Sequence, residues 1–245
     1  MEEKTRCIVL RTVKYGDNKI IVDLLTREVG RQSVVVKTTV SQRKSAGTTG
    51  RMSRQFFQPL TILEADISHT PRQKTAQLKE VRLATIYSTL PYDPIKLSLA
   101  FFVAEFLAMS TRDMHTDEQL YDFVENSLVW LDNTDRGIAN FHLMFMMRMS
   151  RFLGFYPDIE TYEEGTLFDL REGIFSHFTP IHRDFLNAAD AKKMQTLMRM
   201  SPSNLHLFNM SRAERNRIID ISLQFYRIHI PAFREMKSLE VLREL

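Results

Sequence analysis

The sequence predicts an α+β multidomain chain: an N-terminal five-stranded barrel, then an all-α helical domain that carries a small irregular insertion. Three observations carry that expectation. Up to about residue 80, short runs rich in β-branched residues alternate with glycine-bearing turns. Beyond that point the apolar residues recur with a period of 3.6 instead of 2. The charge changes sign at the same place. Residues 1–80 hold 15 basic and 8 acidic side chains, whereas residues 81–245 hold 18 and 22.

The first three strands are expected over Arg6 to Tyr15, Asn18 to Thr26 and Arg31 to Lys37, with turns at Tyr15-Gly16-Asp17-Asn18 and at Gly30. After a polar interval, Phe56 to Asp66 reads as a fourth strand with Pro59 near its start, and Ile67 to Thr75 as a fifth. Five short strands in this length fit a closed barrel, of which the OB fold is the common five-stranded type. An SH3-like barrel satisfies the same pattern.

The helical domain is expected over residues 81–245. Pro94 suits a first helical turn, and Leu97, Phe101, Phe102, Phe106 and Met109 form an apolar stripe behind it. A second helix starts near Thr116, with Gln119 in the capping-box position, and runs to about Leu131. Asn140 to Phe152 is apolar on most sides, which places it at the bundle centre, and Gly154 ends it. Residues 155–183 form the insertion, where Leu167 to Leu170 face Ile174 to Phe178 across Arg171-Glu172-Gly173. Helices resume over Ala188 to Met200 and from the Ser211/Glu214 capping box towards Ile230, with Pro231 beyond.

The composition excludes several classes. A chain of 245 residues that is 44% hydrophobic can build real cores and is not disordered as a whole. Its longest apolar stretch, Leu97 to Met109, is interrupted by Glu105 and falls short of the roughly 20 residues a membrane helix needs. The acidic start Met1-Glu2-Glu3-Lys4 is unlike a secretory signal, so a cytoplasmic location is expected. One cysteine, Cys7, supports neither an internal disulfide nor a structural zinc. Gly47-Thr48-Thr49-Gly50-Arg51 lacks the spacing and the lysine of a phosphate loop. No two histidines sit four apart around an acid, and the pairs Asp117-Glu118 and Glu163-Glu164 are adjacent, so no catalytic metal site is read; no cofactor is expected. The methionines from Met144 to Met149 and from Met194 to Met200 read as core filling, with an adaptable partner groove as the alternative.

A polyanion is the natural partner of the basic segment. No acid occurs between Glu28 and Glu64, while Arg31, Lys37, Arg43, Lys44, Arg51 and Arg54 fall inside that interval and are the candidate DNA-binding residues. A solvated basic loop is the alternative. Tyr15, Phe56 and Phe57 are the aromatics near enough to stack on bases, although only one of the two phenylalanines can face outwards on a strand.

Over its whole length the sequence resembles the RecO family of bacterial DNA repair and recombination mediators. The resemblance rests on Val9-Leu10 with Tyr15-Gly16-Asp17-Asn18, on Leu24-Leu25-Thr26 before Gly30, on Val36-Lys37 and Arg43-Lys44-Ser45, and on Tyr226, His229 and Lys237-Ser238-Leu239. It implies a non-enzymatic protein, cytoplasmic and nucleoid-associated, that binds single- and double-stranded DNA and anneals strands. With RecR it would load RecA onto DNA coated by single-strand binding protein. Many members carry four zinc-binding cysteines after the stretch that here reads Gly154-Phe155-Tyr156-Pro157; this chain has none there, so no metal is carried over. Phe155, Phe168, Phe175 and Phe178 are expected to hold the insertion instead. The acidic, aromatic tail of single-strand binding protein, implied by the same resemblance, needs cations beside apolar surface, and Arg199, Arg212, Arg215 and Arg217 near the Met194 to Met200 stripe are the candidates. The competing classes are a metal-dependent nuclease, which would need a spaced carboxylate cluster, and a transcription regulator, which would need an N-terminal helix-turn-helix.

Overall fold

The computed structural model describes residues 2–39, 52–68, 76–112 and 114–244. The chain forms two compact units, Met1–Asp93 with Ala100–Asp132, and Pro94–Leu99 with Asn133–Leu245.

In the first unit, strands β1 (Glu2–Tyr15), β2 (Lys19–Thr26), β3 (Gly30–Thr39), β5 (Ile62–Ser68) and β6 (Ala76–Leu83) form a closed barrel of the OB type. The order is β2-β1-β5-β6-β3, and a β2–β3 ladder closes the ring. All neighbours are antiparallel except β3 and β6, and the two-residue β4 (Met52–Ser53) pairs parallel to the end of β3. Alternate residues point inward, so Cys7 and Val9, Ile20, Val22 and Leu24, Val34 and Val36, and Leu63, Ala65 and Ile67 build one core.

The fourth and fifth strands differ from the sequence expectation. Arg54–Phe57 make a 3-10 turn capped by the Ser53 hydroxyl, and β5 starts only at Ile62. Pro59 has no N–H to give a ladder, and Leu60 takes a left-handed φ of 63°, so the backbone reverses before the strand begins. The Leu60 N–H then donates to Val9 O (2.6 Å), and the Val9 N–H to Thr61 O (3.0 Å). Ile67 and Ser68 complete β5, residues 69–75 lie outside the described ones, and the fifth barrel strand is β6. Its alternation is weak because Lys79, Glu80 and Arg82 crowd it with charge.

Helix α1 (Pro94–Ser110), from Ala100 onward, and α2 (Glu118–Asn133), as far as Asp132, belong to the barrel's unit. The N-terminal cap of α2 is Asp117, whose Oδ1 accepts from the Leu120 N–H (3.0 Å), one residue later than the Thr116 box expected. Gly30, with φ +73°, begins β3 where an added Cβ would stand 3.1 Å from the Thr116 amide nitrogen.

The second unit is built on α3 (Phe141–Phe152), preceded by a 3-10 turn over Ile138–Asn140. Nine of its twelve residues are buried, which agrees with its all-round apolar sequence. It ends as Gly154 takes φ +83° while the Phe155 N–H donates to Ser150 O (3.1 Å) and the Gly154 N–H to Arg151 O (3.4 Å), a Schellman closure. Around it lie α4 (Ala188–Met198), α5 (Arg212–His229) and the short α6 (Leu239–Leu242). Met194, Met198 and Met200 are all buried, so that stripe fills the core.

The insertion is a small sheet of β7 (Leu167–Asp169), β8 (Ile174–Ser176) and β9 (Phe185–Leu186), with Phe168 opposite Phe175 as the turn at Gly173 requires. Phe155 stacks on His229 with centroids 4.7 Å apart, and Phe168 meets Phe175 and Phe225 at 4.7 and 5.8 Å. Phe178 does not join them. It is 84% exposed, because the Phe178 N–H is turned back to the Ser176 hydroxyl just past the end of β8.

Candidate nucleic-acid interface

The outer face of β1, β2 and β3 is set by one extra residue. Val9 pairs with Leu24 but Arg11 with Asp23, so Leu10 is a bulge that reverses the facing of β1. Upstream, Cys7 and Val9 point into the barrel; downstream, Arg11, Val13 and Tyr15 point out. Three rungs result, since directly opposed residues share a face. Arg11, Asp23 and Ser33 form the first, Val13, Ile21 and Val35 the second, and Tyr15, Lys19 and Lys37 the third.

The first rung is electrostatically closed. Asp23 is buried, which opposes its charge, yet the Ser33 hydroxyl at 2.6 Å and the guanidiniums of Arg11 and Arg31 hold its carboxyl below the usual range. The other two rungs are open to solvent: Val13 is 44% exposed and Tyr15 54%. Lys37 is exposed and Lys19 half-buried, and no acid shares their rung. Lys14, opposite Ile20, adds another exposed cation at this end of the sheet.

Three other arginines of this unit are matched by acids. Arg27 pairs with Asp122 (2.8 Å) and Glu118 (3.0 Å), Arg6 with Glu125, and Arg82 with Glu64. A groove of about 300 Å³ over β1, β5 and β6 mixes Lys4, Arg6 and Arg82 with Glu28, Glu64, Asp66 and Glu80. That balance is a poor receptor for a polyanion.

The sequence candidates divide accordingly. Arg31 is turned into the protein: its side chain is 13% exposed and donates to Ala108 O at 2.6 Å as well as to Asp23. Lys37 stands in the open rung, and Arg54 is exposed on the 3-10 turn. Arg43, Lys44 and Arg51 lie outside the described residues. Of the three aromatics, Phe57 is buried in the barrel core and Phe56 packs half-buried against it, which leaves Tyr15 as the exposed ring. Lys19 was missed because a segment scan for acid-free runs does not see cross-strand neighbours. The signal was the run Ile8-Val9-Leu10, whose third consecutive apolar residue breaks the alternation and marks the bulge.

In the second unit Arg212 donates to Arg243 O (2.6 Å) and pairs with Glu244, Arg215 donates to Met210 O (2.7 Å), and Arg217 pairs with Asp190 (2.5 Å). Arg199 is exposed at the C-terminal cap of α4. His177 and His182 pair with Glu163 (3.0 Å) and Asp169 (3.2 Å). Among the described residues, no group of three or more His, Cys, Asp or Glu side chains is placed to hold a metal ion, and no helix is long and apolar enough to cross a membrane.

Two family models divide the chain between them, Recombination protein O N terminal over residues 1–87 and Recombination protein O C terminal over residues 91–240. This chain belongs to the RecO family. The chain is 43% identical over 245 residues to the DNA repair protein RecO of Phocaeicola vulgatus, covering 100% of this chain and 99% of the relative. It is 38% identical over 246 residues to the protein of that name from Bacteroides fragilis, with the same coverage, and 34% over 245 residues to that of Flavobacterium psychrophilum.

Proposed function

We propose that this chain is a recombination mediator in DNA repair that works by binding alone, gripping single- and double-stranded DNA through its barrel and annealing complementary strands. Its family membership supports the repair role, and the rung of Tyr15, Lys19 and Lys37 is the observation that supports the barrel as the grip. Cations set beside an apolar rung, with no acid opposite, attract phosphates without reading sequence. In sequence, β3 is followed by a basic stretch with Arg43, Lys44 and Arg51.

The further steps, cooperation with RecR and loading of RecA onto strands coated by single-strand binding protein, belong to the same proposal. We place the acidic tail of single-strand binding protein on the second unit near Arg199, which is exposed; Arg212, Arg215 and Arg217 would have to share guanidiniums already engaged within the chain. Changing Arg199 and Arg215 to Glu is expected to weaken capture of a labelled tail peptide at least fivefold and to leave binding to naked DNA intact. Capture within twofold of the parent would place the tail elsewhere.

The direct test is annealing of complementary oligonucleotides coated with single-strand binding protein, with and without RecR. The parent is expected to anneal them, and a Lys19→Ala/Lys37→Ala/Lys44→Ala variant to slow annealing at least tenfold. Equal rates with and without the chain would contradict the proposal.

A further inference from the structure

We propose that Tyr15 is a base-stacking platform that makes the barrel select single-stranded over duplex DNA, an inference that rests on the barrel being the DNA-binding part. Three observations converge on it. The Leu10 bulge turns Tyr15 outward, on the same face as Lys19 and Lys37. Tyr15 is 54% exposed, whereas Phe56 and Phe57, the other two aromatics near the basic segment, are committed to the barrel core. The neighbouring rung, Val13 exposed and Ile21 and Val35 half-buried, continues an apolar strip from the ring along the strands.

The chemistry follows from this layout. Lys19 lies one strand spacing from Tyr15 and Lys37 two, about 5 and 10 Å across the sheet. A base laid on the tyrosine ring therefore carries its flanking phosphates towards ammonium groups, while the valine and isoleucine rung takes the face of a sugar or a second base. A ring platform accepts any base, since each has a π-face. In a duplex both faces of every internal base are already stacked, so the platform has nothing to receive and the lysines alone act. The rung thus separates two contributions: the lysines bind either form of DNA through charge, and Tyr15 adds affinity only where bases are unstacked.

The test uses the full chain and three labelled probes of equal length: oligothymidylate, the same backbone made largely abasic, and a duplex. Tyr15→Ala is expected to lose about tenfold on oligothymidylate, the loss of roughly one stacked base. It should stay within twofold on the abasic strand and the duplex, with the salt dependence unchanged. Tyr15→Trp should match or exceed the parent on oligothymidylate. An alanine variant within twofold of the parent on oligothymidylate, or weakened equally on all three probes, would overturn the stacking role. A parent chain that shows no salt-dependent binding to any probe would overturn the reading of the barrel on which the inference rests.

Discussion

Asp132 closes α2 at the helix end where a negative charge is least welcome, and the reason lies in what faces it. Its carboxylate accepts from the N–H groups of Ser88 (2.9 Å), Thr89 (2.8 Å) and Leu90 (2.7 Å) and from the Ser88 hydroxyl (3.0 Å), fixing the segment that follows β6. Burial opposes the charge, but the donated hydrogens outweigh it and take the pKa from 3.8 to about 2. At about 1.4 kcal/mol per unit, that is about 2 kcal/mol of stability. Because the folded value is the lower one, the contribution is complete above about pH 4 and is lost as the pH falls towards 2. Asp132→Asn is expected to lower stability by about 2 kcal/mol at neutral pH in urea unfolding and to flatten the acid limb of the parent's stability profile. His142 acts over another range. Complete burial in α3, helped by the charge of Arg215, drops its pKa to about 3, so the folded chain keeps the ring neutral where the unfolded chain protonates it. Stability should fall as pH drops from about 6.5 towards 3, and His142→Leu should remove much of that slope. Nothing local in the sequence signals that Asp132 caps a distant turn, because the two partners are more than 40 residues apart.

At the scale of elements, legibility followed local signals. The Ser211/Glu214 capping box was readable and is present with both its hydrogen bonds. The β7–β8 hairpin was also readable, from Gly173 between two short apolar runs. The start of β5 was not, since the reversal at Leu60 depends on bonding to Val9 in another strand. Two glycines test how far local and non-local demands can be separated. Gly16 (φ +70°) has open space around its missing Cβ, while at Gly137 (φ +74°) a Cβ would stand 2.8 Å from the His206 amide nitrogen. Gly16→Ala should therefore cost about 1 to 2 kcal/mol, the left-handed strain alone. Gly137→Ala should cost clearly more, and thermal melts of the two variants side by side check the order. Equal losses would mean that the backbone beside Gly137 yields freely.

Across the whole molecule, the charge asymmetry was legible but its meaning was only partly so. Two of the basic residues in the first 80, Arg27 and Arg6, are matched by acids of α2 that lie 95 and 119 positions away. No local reading of composition reveals partners that distant, and Arg31 likewise donates to Ala108 O, 77 positions away. Among the described residues, Lys19 and Lys37 share a rung of the β1–β3 face with Tyr15 and with no acid. With no ligand group assembled among the described residues, chelation followed by a melt is expected to leave the midpoint unchanged, and a drop of several degrees would reveal a metal held by other residues. The salt dependence of binding tests most directly whether this face grips the DNA backbone, as proposed. For Lys19→Ala/Lys37→Ala against the parent on one single-stranded oligonucleotide, the log–log slope is predicted to shrink by about 1.4, two contacts at about 0.7 each. An unchanged slope would contradict the account.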